Sequence, residues 1–139
     1  MNLAPAVDAL VVFFEGLTPE SVARFPAYYA ADACFKDPFN EVRGLSSIQR
    51  IFTHLFEQVA APRFVVGERL LAGHTAVLIW ELHYRSSSPQ VIRGVSHLRF
   101  GDDGKVVWHR DYWDAAEELY AKLPLLGCLM RWLQKRVAA

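Results

Sequence analysis

Two side chains able to exchange a proton, His109 and Asp111, stand two residues apart in the most β-rich part of the chain. Two runs, 91–100 and 105–114, are joined by a short Gly/Asp turn and predict a long antiparallel hairpin. Residues two apart on a strand lie on the same face of the sheet, and about 6–7 Å separates them. The pair could therefore contact one ligand or be bridged by a water, with Val107 and Trp113 on the same side. The other interpretations are a satisfied polar pair in a cavity or, if the parity is inverted, a solvent-facing pair.

Asp37 is a second candidate for acid–base chemistry. It lies between Phe35 and Pro38-Phe39, apolar surroundings that suit a general base. The alternative is that Asp37 closes a turn through neighbouring backbone groups and does no chemistry. Ser96 is interpreted as a hydroxyl that lines a pocket, since no nucleophile-elbow motif surrounds it.

Three helices precede these strands. Apolar residues at spacings of three and four predict a first helix over 3–15. A second is expected from Pro19 to about residue 30, with a kink at Pro26. A possible capping box at 46–49 begins a strongly amphipathic third helix.

The remaining elements are strands and a helical end. Extended segments are predicted at 34–39, 63–71 and 75–85, and a last helix begins at Asp114, with an amphipathic piece over 126–137. Helices followed by a strand meander indicate the α+β class, with the helices gathered on one face of an antiparallel sheet. A twisted sheet around a long amphipathic helix should form a cone with an interior. The inner face of 75–85 is predicted to carry Ala76, Leu78, Trp80, Leu82 and Tyr84.

Composition excludes several classes of protein. The 139 residues predict a single domain, 1–139, and 15 basic against 15 acidic residues without a cationic run argue against nucleic-acid binding. The apolar N-terminal run lacks a basic segment before it, so we expect no signal peptide and a cytoplasmic location. No apolar run reaches bilayer length, so membrane insertion is not expected. The five histidines follow no metal-ligand spacing, so no metal is assigned. Cys34 and Cys128 are expected to be reduced thiols.

The two faces of the sheet suggest different partners. Trp80 and Trp113 on the inner face could form an apolar wall for a flat hydrophobic ligand, or plain core. The outer face mixes aromatic and charged residues in a way that suits a homodimer interface; the alternative is a solvated face. The outer residues in question are Glu81, His83, Arg93, His97, Arg99, Trp108, Arg110 and Tyr112.

The chain resembles the nuclear-transport-factor-2-like superfamily, and within it the SnoaL-like polyketide cyclases and the ketosteroid isomerases. The resemblance rests on residues 28–39, on Gly44, on 96–100 with 104–106, and on Tyr112-Trp113. It implies a cone-shaped sheet around the N-terminal helices, an additional C-terminal helix, no cofactor and a small hydrophobic ligand.

Site residues follow from the resemblance. Asp37 matches the catalytic base of ketosteroid isomerases, but the positions of their oxyanion-hole Tyr and protonated Asp correspond to Phe13 and Ser96. Since losing one oxyanion donor costs about 10²–10³ in rate, a typical ketosteroid isomerase is not expected. SnoaL-like cyclases use an acidic residue and a His in the cone, for which His109 and Asp111 are suited. The predicted ligand-binding residues are Phe13, Tyr28, Phe52, Trp80, Ser96, Leu98 and Trp113.

Three hypotheses follow. The first is an isomerase, cyclase or hydratase that moves a proton on a small hydrophobic carbonyl compound, with Asp37 or Asp111 as base and His109 as its partner. The second is a dimeric binding module that holds an apolar ligand without catalysis. The third is an interaction domain whose cone is filled by its own side chains.

Overall fold

A computed structural model describes residues 2–118, 129, 132, 133 and 135–138. Two helices and a 3-10 helix cover one face of a curved, unclosed six-stranded sheet. The elements in chain order are α1 (Ala4–Glu15), a 3-10 helix (Ser21–Ala27), β1 (Tyr29–Lys36), β2 (Glu41–Arg43), α2 (Leu45–Gln58), β3 (Ala60–Ala72), β4 (Thr75–Arg85), β5 (Pro89–Phe100), β6 (Val106–Tyr112) and α3 (Ala115–Glu118).

The sheet order is β2-β1-β6-β5-β4-β3. The predicted α+β class and curved sheet are confirmed. The strands from β3 to β6 form an antiparallel meander, whereas β1 pairs with β6 in parallel, so the sheet is mixed. The parallel pair joins segments that lie far apart in sequence, and no turn therefore dictates its direction.

The inner face of the sheet and the helices form one aromatic core. Along β4, the five residues predicted to face inward are all buried, as expected for a strand with one face on the core. From α2, Ile48 and Phe52 are buried against this face. The Phe52 ring lies between those of Phe14, Phe25 and Phe35, with centroids 4.9–5.7 Å away.

The predicted alternation fails at the start of β6. Val106 is fully buried and Val107 is 38% exposed, the reverse of the predicted faces. The register between β5 and β6 shifts between the Arg99–Trp108 and Phe100–Val106 pairs. A bulge at this point inserts one residue and reverses the parity before it, while His109 and Asp111 keep the predicted common face.

Two predictions in the N-terminal half, the second helix and the capping box of the third, are wrong. The second helix is a 3-10 helix with Pro26 inside it, and it ends at Ala27, so Tyr29 begins a strand. Proline removes a backbone donor, which favours a short, tight helix over a continuous α-helix. The N-cap of α2 is Gly44 and makes no side-chain cap bond; the Gln49 side chain donates to the Val22 carbonyl at 3.1 Å instead of closing a capping box.

The C-terminal helix begins as predicted. The Asp114 carboxylate accepts a hydrogen bond from the Glu117 backbone N–H at 3.1 Å, and the described residues 129, 132, 133 and 135–137 are helical. The predicted break at Pro124 and Gly127, and Cys128, lie outside the described residues. Cys34 is a free thiol. Within the part of the chain that is described, no helix has the length and apolar character to cross a bilayer.

Candidate functional site

The register of the sheet brings Ser96, Asp111 and His109 together. Ser96 pairs directly with Asp111, and Leu98 pairs with His109 on the adjacent strand. Residues opposite one another in antiparallel strands have Cβ atoms about 4.5–5.5 Å apart. The three polar side chains therefore form a patch within the apolar inner face.

His109 and Asp111 are in direct contact. The His109 Nε2 atom lies 2.6 Å from Asp111 Oδ1, and His109 is 3% exposed. The Asp111 side chain is 15% exposed. A pair that is withdrawn from water to this degree interacts more strongly than a surface ion pair, and it is the arrangement that proton-transfer sites use.

A second hydrogen bond reaches the same carboxylate oxygen. Ser96 Oγ lies 2.5 Å from Asp111 Oδ1, and Trp80 Nε1 donates to Ser96 Oγ at 2.8 Å. An indole N–H can only donate, so the Ser96 oxygen accepts from Trp80 and its own proton is directed at Asp111. The Trp80 ring lies over Gly94, where a Cβ atom would come within 2.4 Å of Cη2 and Cζ2.

Tyr29 completes the hydrogen-bonded chain from the other side. Its hydroxyl lies 2.6 Å from His109 Nδ1, and the side chain is fully buried. Burial raises the pKa of the Tyr29 phenol well above its usual range, and the negative charge of Asp111 adds to this increase. The phenol therefore stays neutral at physiological pH and keeps its proton.

The second oxygen of Asp111 is left open. Both hydrogen bonds that the described residues make to this carboxylate end on Oδ1. No buried polar side-chain atom among the described residues lacks a hydrogen-bond partner. Since Oδ2 has no hydrogen-bond partner among these residues, it is at least partly exposed to solvent.

A small cavity lies beside the carboxylate. Its volume is about 20 Å³, room for about one water molecule. Most of the residues in its wall are buried. Three are only half-buried: Phe64 and Val66 on the edge strand β3, and Asp111. The lining residues are Phe14, Phe52, Phe64, Val66, Leu78, Trp80, Ser96, Leu98, His109 and Asp111.

Asp37 lies outside this group. Its Oδ1 atom accepts hydrogen bonds from the Phe39 and Asn40 backbone N–H groups at 2.8 and 2.7 Å, and the Asn40 side chain contacts both carboxylate oxygens at 3.1–3.2 Å. This is the geometry of an Asx turn. Asp37 contributes neither to the cavity wall nor to the hydrogen-bonded chain around Asp111.

The predicted ligand-binding residues fall into two groups. Phe52, Trp80, Ser96 and Leu98 line the cavity. Phe13 and Tyr28 stack on each other with centroids 4.4 Å apart, and Trp113 packs edge-on against Phe39 at 5.5 Å; these three lie away from the cavity wall.

Sequence reasoning did not assign Tyr29, Phe14, Phe64, Val66 or Leu78 to the site. Phe14 belongs to the apolar spacing that predicts the first helix, and Leu78 belongs to the predicted inner face of 75–85; these two patterns could have placed both side chains on the wall. Tyr29 was assigned to a helix, so its contact with β6 had no sequence signal. Among the described residues, no group of three or more His, Cys, Asp or Glu side chains is arranged to hold a metal ion.

The chain matches a known sequence family. The sequence model of the SnoaL-like domain matches residues 11–109. A search of curated proteins gave no match.

Solved structures share the fold at low sequence identity. A hypothetical protein from Catenulispora acidiphila with a ketosteroid isomerase-like fold, in complex with trimethylamine, is 17% identical, with a TM-score of 0.72 over 86% of this chain and 93% of that one. A candidate SnoaL-like polyketide cyclase from Jannaschia sp. CCS1 is 16% identical, with a TM-score of 0.70 over 83% and 87%. TerC co-crystallised with polyporic acid is 16% identical, with a TM-score of 0.70 over 83% and 93%.

The family match covers most of the chain, from the middle of α1 to His109 on β6. It includes Ser96, Trp80 and Tyr29, and it ends two residues before Asp111. The curved sheet and its covering helices are those of the structures compared. This chain belongs to the SnoaL-like domain family.

Proposed function

We propose that this protein is a cofactor-independent enzyme of the isomerase or cyclase type, in which Asp111 takes a proton from a small hydrophobic carbonyl compound. The observation that carries the proposal is the 2.6 Å contact between His109 and Asp111 in the wall of an aromatic cavity. His109 is the partner that supports the charge of Asp111. Asp37 is not part of this proposal, because its carboxylate is engaged by a turn.

The free oxygen of Asp111 is suited to the role of base. Oδ1 accepts two hydrogen bonds, which stabilise the carboxylate inside an apolar wall, and Oδ2 is left to accept a proton. The proton that leaves a carbon next to the carbonyl group protonates Oδ2. Returning that proton to a different carbon of a conjugated enolate completes an isomerisation. In a cyclisation the enolate carbon attacks a second carbonyl group, and the oxygen of that group takes the proton back from Oδ2, which restores the carboxylate.

The wall also limits the class of substrate. Three donors line the cavity, and each is already used: Trp80 donates to Ser96, while Ser96 and His109 donate to Asp111. Among the described residues that line the cavity, no donor remains to stabilise an enolate oxygen. The substrate should therefore stabilise its own enolate, as a 1,3-dicarbonyl compound does.

A substrate must enlarge the cavity to enter. Its volume of about 20 Å³ holds about one water. Phe64 and Val66 lie on the edge strand β3, half-buried, beside a register irregularity between Val66 and Arg69. We propose that this part of the wall opens to admit the ligand.

The small cavity also favours a second candidate, an interaction domain whose cone is filled by its own side chains. The similar structures that contain trimethylamine and polyporic acid support ligand binding within this fold. We also propose that the protein forms a homodimer through the outer face of the sheet and that it is located in the cytoplasm.

The test compares three Asp→Asn variants of the full chain. Each is incubated in D₂O with 1,3-dicarbonyl compounds, and exchange of the acidic carbon-bound hydrogen is followed by NMR. We expect Asp111→Asn to reduce the catalysed rate by about 10²–10⁴, the usual contribution of a general base. Asp103→Asn, an exposed carboxylate in the β5–β6 turn, is the control and should keep the wild-type rate.

Two results would contradict the proposal. A loss confined to Asp37→Asn would assign the base to Asp37 rather than Asp111. Exchange at the uncatalysed rate with the wild-type protein, for a series of dicarbonyl compounds that differ in size, would favour the interaction domain.

A further inference from the structure

Tyr29 is a buried titratable group that the proposed reaction does not use. It begins β1, and its ring stacks on the His109 ring with centroids 5.9 Å apart and an interplanar angle of 28°. The hydroxyl makes one hydrogen bond within the described residues, to His109 Nδ1 at 2.6 Å. The phenol proton therefore has one acceptor within reach.

Among the residues that the structure describes, one charged side chain contacts the His109 ring. Its other ring contacts are with Phe14 on α1 and Phe35 on β1, at centroid distances of 6.2 and 4.7 Å. Asp111 is the charged group that touches the ring. The proton positions on His109 are therefore determined by Tyr29 on one side and Asp111 on the other.

We infer that Tyr29 is a positioning residue that holds the His109–Asp111 pair in the protonation state required of a base. In this state Tyr29 donates to Nδ1, His109 is neutral and protonated on Nε2, and Asp111 is a carboxylate. A neutral imidazole has one donor and one acceptor nitrogen, and this assignment satisfies both.

The alternative proton arrangement leaves a buried donor without a partner. If Asp111 carried the proton and donated it to Nε2, His109 would donate from Nδ1 to the Tyr29 oxygen. The Tyr29 proton would then lack an acceptor in a fully buried site, which is unfavourable. The same objection applies to a doubly protonated His109. Burial raises the pKa of Tyr29, so the phenol keeps its proton and still needs an acceptor.

A second series of hydrogen bonds, from Trp80 through Ser96, also directs a proton at Asp111. Trp80 forces the Ser96 proton toward Oδ1 of Asp111, just as Tyr29 forces the His109 Nε2 proton toward it. Both donors end on the same oxygen, Oδ1, which acts only as an acceptor when Asp111 is a carboxylate. The catalytic consequence of this inference rests on the proposed function, whereas the protonation state itself does not.

The experiment measures the ring nitrogens of His109 by ¹⁵N NMR on the whole protein at neutral pH. Long-range ¹H–¹⁵N correlation spectra distinguish protonated from unprotonated ring nitrogens, and a His109→Gln variant identifies the signals among those of the five histidines. Tyr29→Phe removes only the hydroxyl. Tyr84→Phe, which removes the hydroxyl of another buried tyrosine outside the cavity wall, is the matched control.

In the wild-type protein we expect Nδ1 to be unprotonated and Nε2 protonated. In Tyr29→Phe the ratio of protonated to unprotonated Nδ1 should rise roughly 2- to 12-fold, the equilibrium equivalent of one neutral hydrogen bond. Tyr84→Phe should match the wild type. A protonated Nδ1 in the wild-type protein, or a Tyr29→Phe spectrum identical to the wild type, would overturn the inference; the first of these results is measured on the wild-type protein.

Kinetics separate this inference from the proposed function. If Asp111 is the base, kcat of Tyr29→Phe should fall in proportion to the loss of the reactive protonation state that the Nδ1 signal measures, with KM unchanged, because only the population of that state is altered. Absence of turnover in the wild-type protein as well as in every variant would refute the proposed function and leave the NMR result valid. A normal kcat together with an altered Nδ1 signal would refute the catalytic role of Tyr29.

Discussion

Replacing Gly94 by alanine tests whether the Trp80 ring is held as the structure shows. A Cβ atom at position 94 would lie 2.4 Å from Cη2 and Cζ2 of Trp80 and 3.0 Å from Cε2. Trp80 is 7% exposed, so its ring is enclosed by neighbouring side chains. The ring must shift, and its hydrogen bond to Ser96 should be lost.

The expected loss in the free energy of unfolding is about 2 kcal/mol. Overpacking in a core costs about 1–3 kcal/mol, and a neutral hydrogen bond contributes about 0.5–1.5 kcal/mol. The lower backbone entropy of alanine in the unfolded chain offsets about 0.4–1 kcal/mol of this loss. Urea denaturation followed by far-UV circular dichroism measures the difference, provided that the m-value is unchanged.

Gly67→Ala is the matched control. Gly67 lies on β3, is exposed, and would place its Cβ atom 3.6 Å from the nearest backbone oxygen, an ordinary contact. Its effect should stay within about 0.5 kcal/mol. In the Trp80→Phe background, Gly94→Ala should become less costly, because the smaller ring leaves room for the methyl group. Equal costs at positions 94 and 67, or additive effects of the two substitutions, would refute the packing of Trp80 on Gly94.

Three further predictions follow from the same structure. Folding raises the pKa of Tyr29, so its contribution to stability is complete below the unfolded value of about 10 and is lost as pH rises from there. Urea titrations above pH 10 should show the wild type losing up to about 1.4 kcal/mol per pH unit more than Tyr29→Phe; equal slopes would contradict this. Phe64→Ala should enlarge the cavity so that benzene raises Tm, whereas Phe39→Ala, outside the cavity wall, should give no such shift. Ile79→Glu on the outer face should convert the proposed homodimer to monomer in sedimentation velocity, while Val12→Glu on the exposed side of α1 should not; a monomeric wild type would refute the dimer.

Regular alternation made much of the sheet predictable from sequence. The bounds of β4 and the inward-facing set along it follow from period-two patterning against an apolar core. His109 and Asp111 share a face for the same reason. The pattern failed at Val106 and Val107, because a bulge leaves Val107 as an extra residue in β6. Two successive valines do not show from sequence which of them faces inward.

Non-local pairing explains what the sequence could not supply. The contact between Tyr29 and His109 depends on the parallel pairing of β1 with β6, in which positions 29 to 34 of β1 span only positions 106 to 108 of β6. No local propensity encodes this irregular register. The hydroxyl of Tyr29 reaches His109 through tertiary structure, and the Gln49 side chain reaches the Val22 carbonyl in the same way.

The proposed role of Asp111 as a base agrees with the arrangement of hydrogen bonds around it. Buried ion pairs contribute little net stability, and apolar replacements of similar shape are often neutral or stabilising. Here two donors converge on Oδ1, each oriented by a further buried donor, Trp80 through Ser96 and Tyr29 through His109. Oδ2 is left accessible beside an apolar cavity, and this asymmetry is what a base needs in order to remain ionised and still accept a proton.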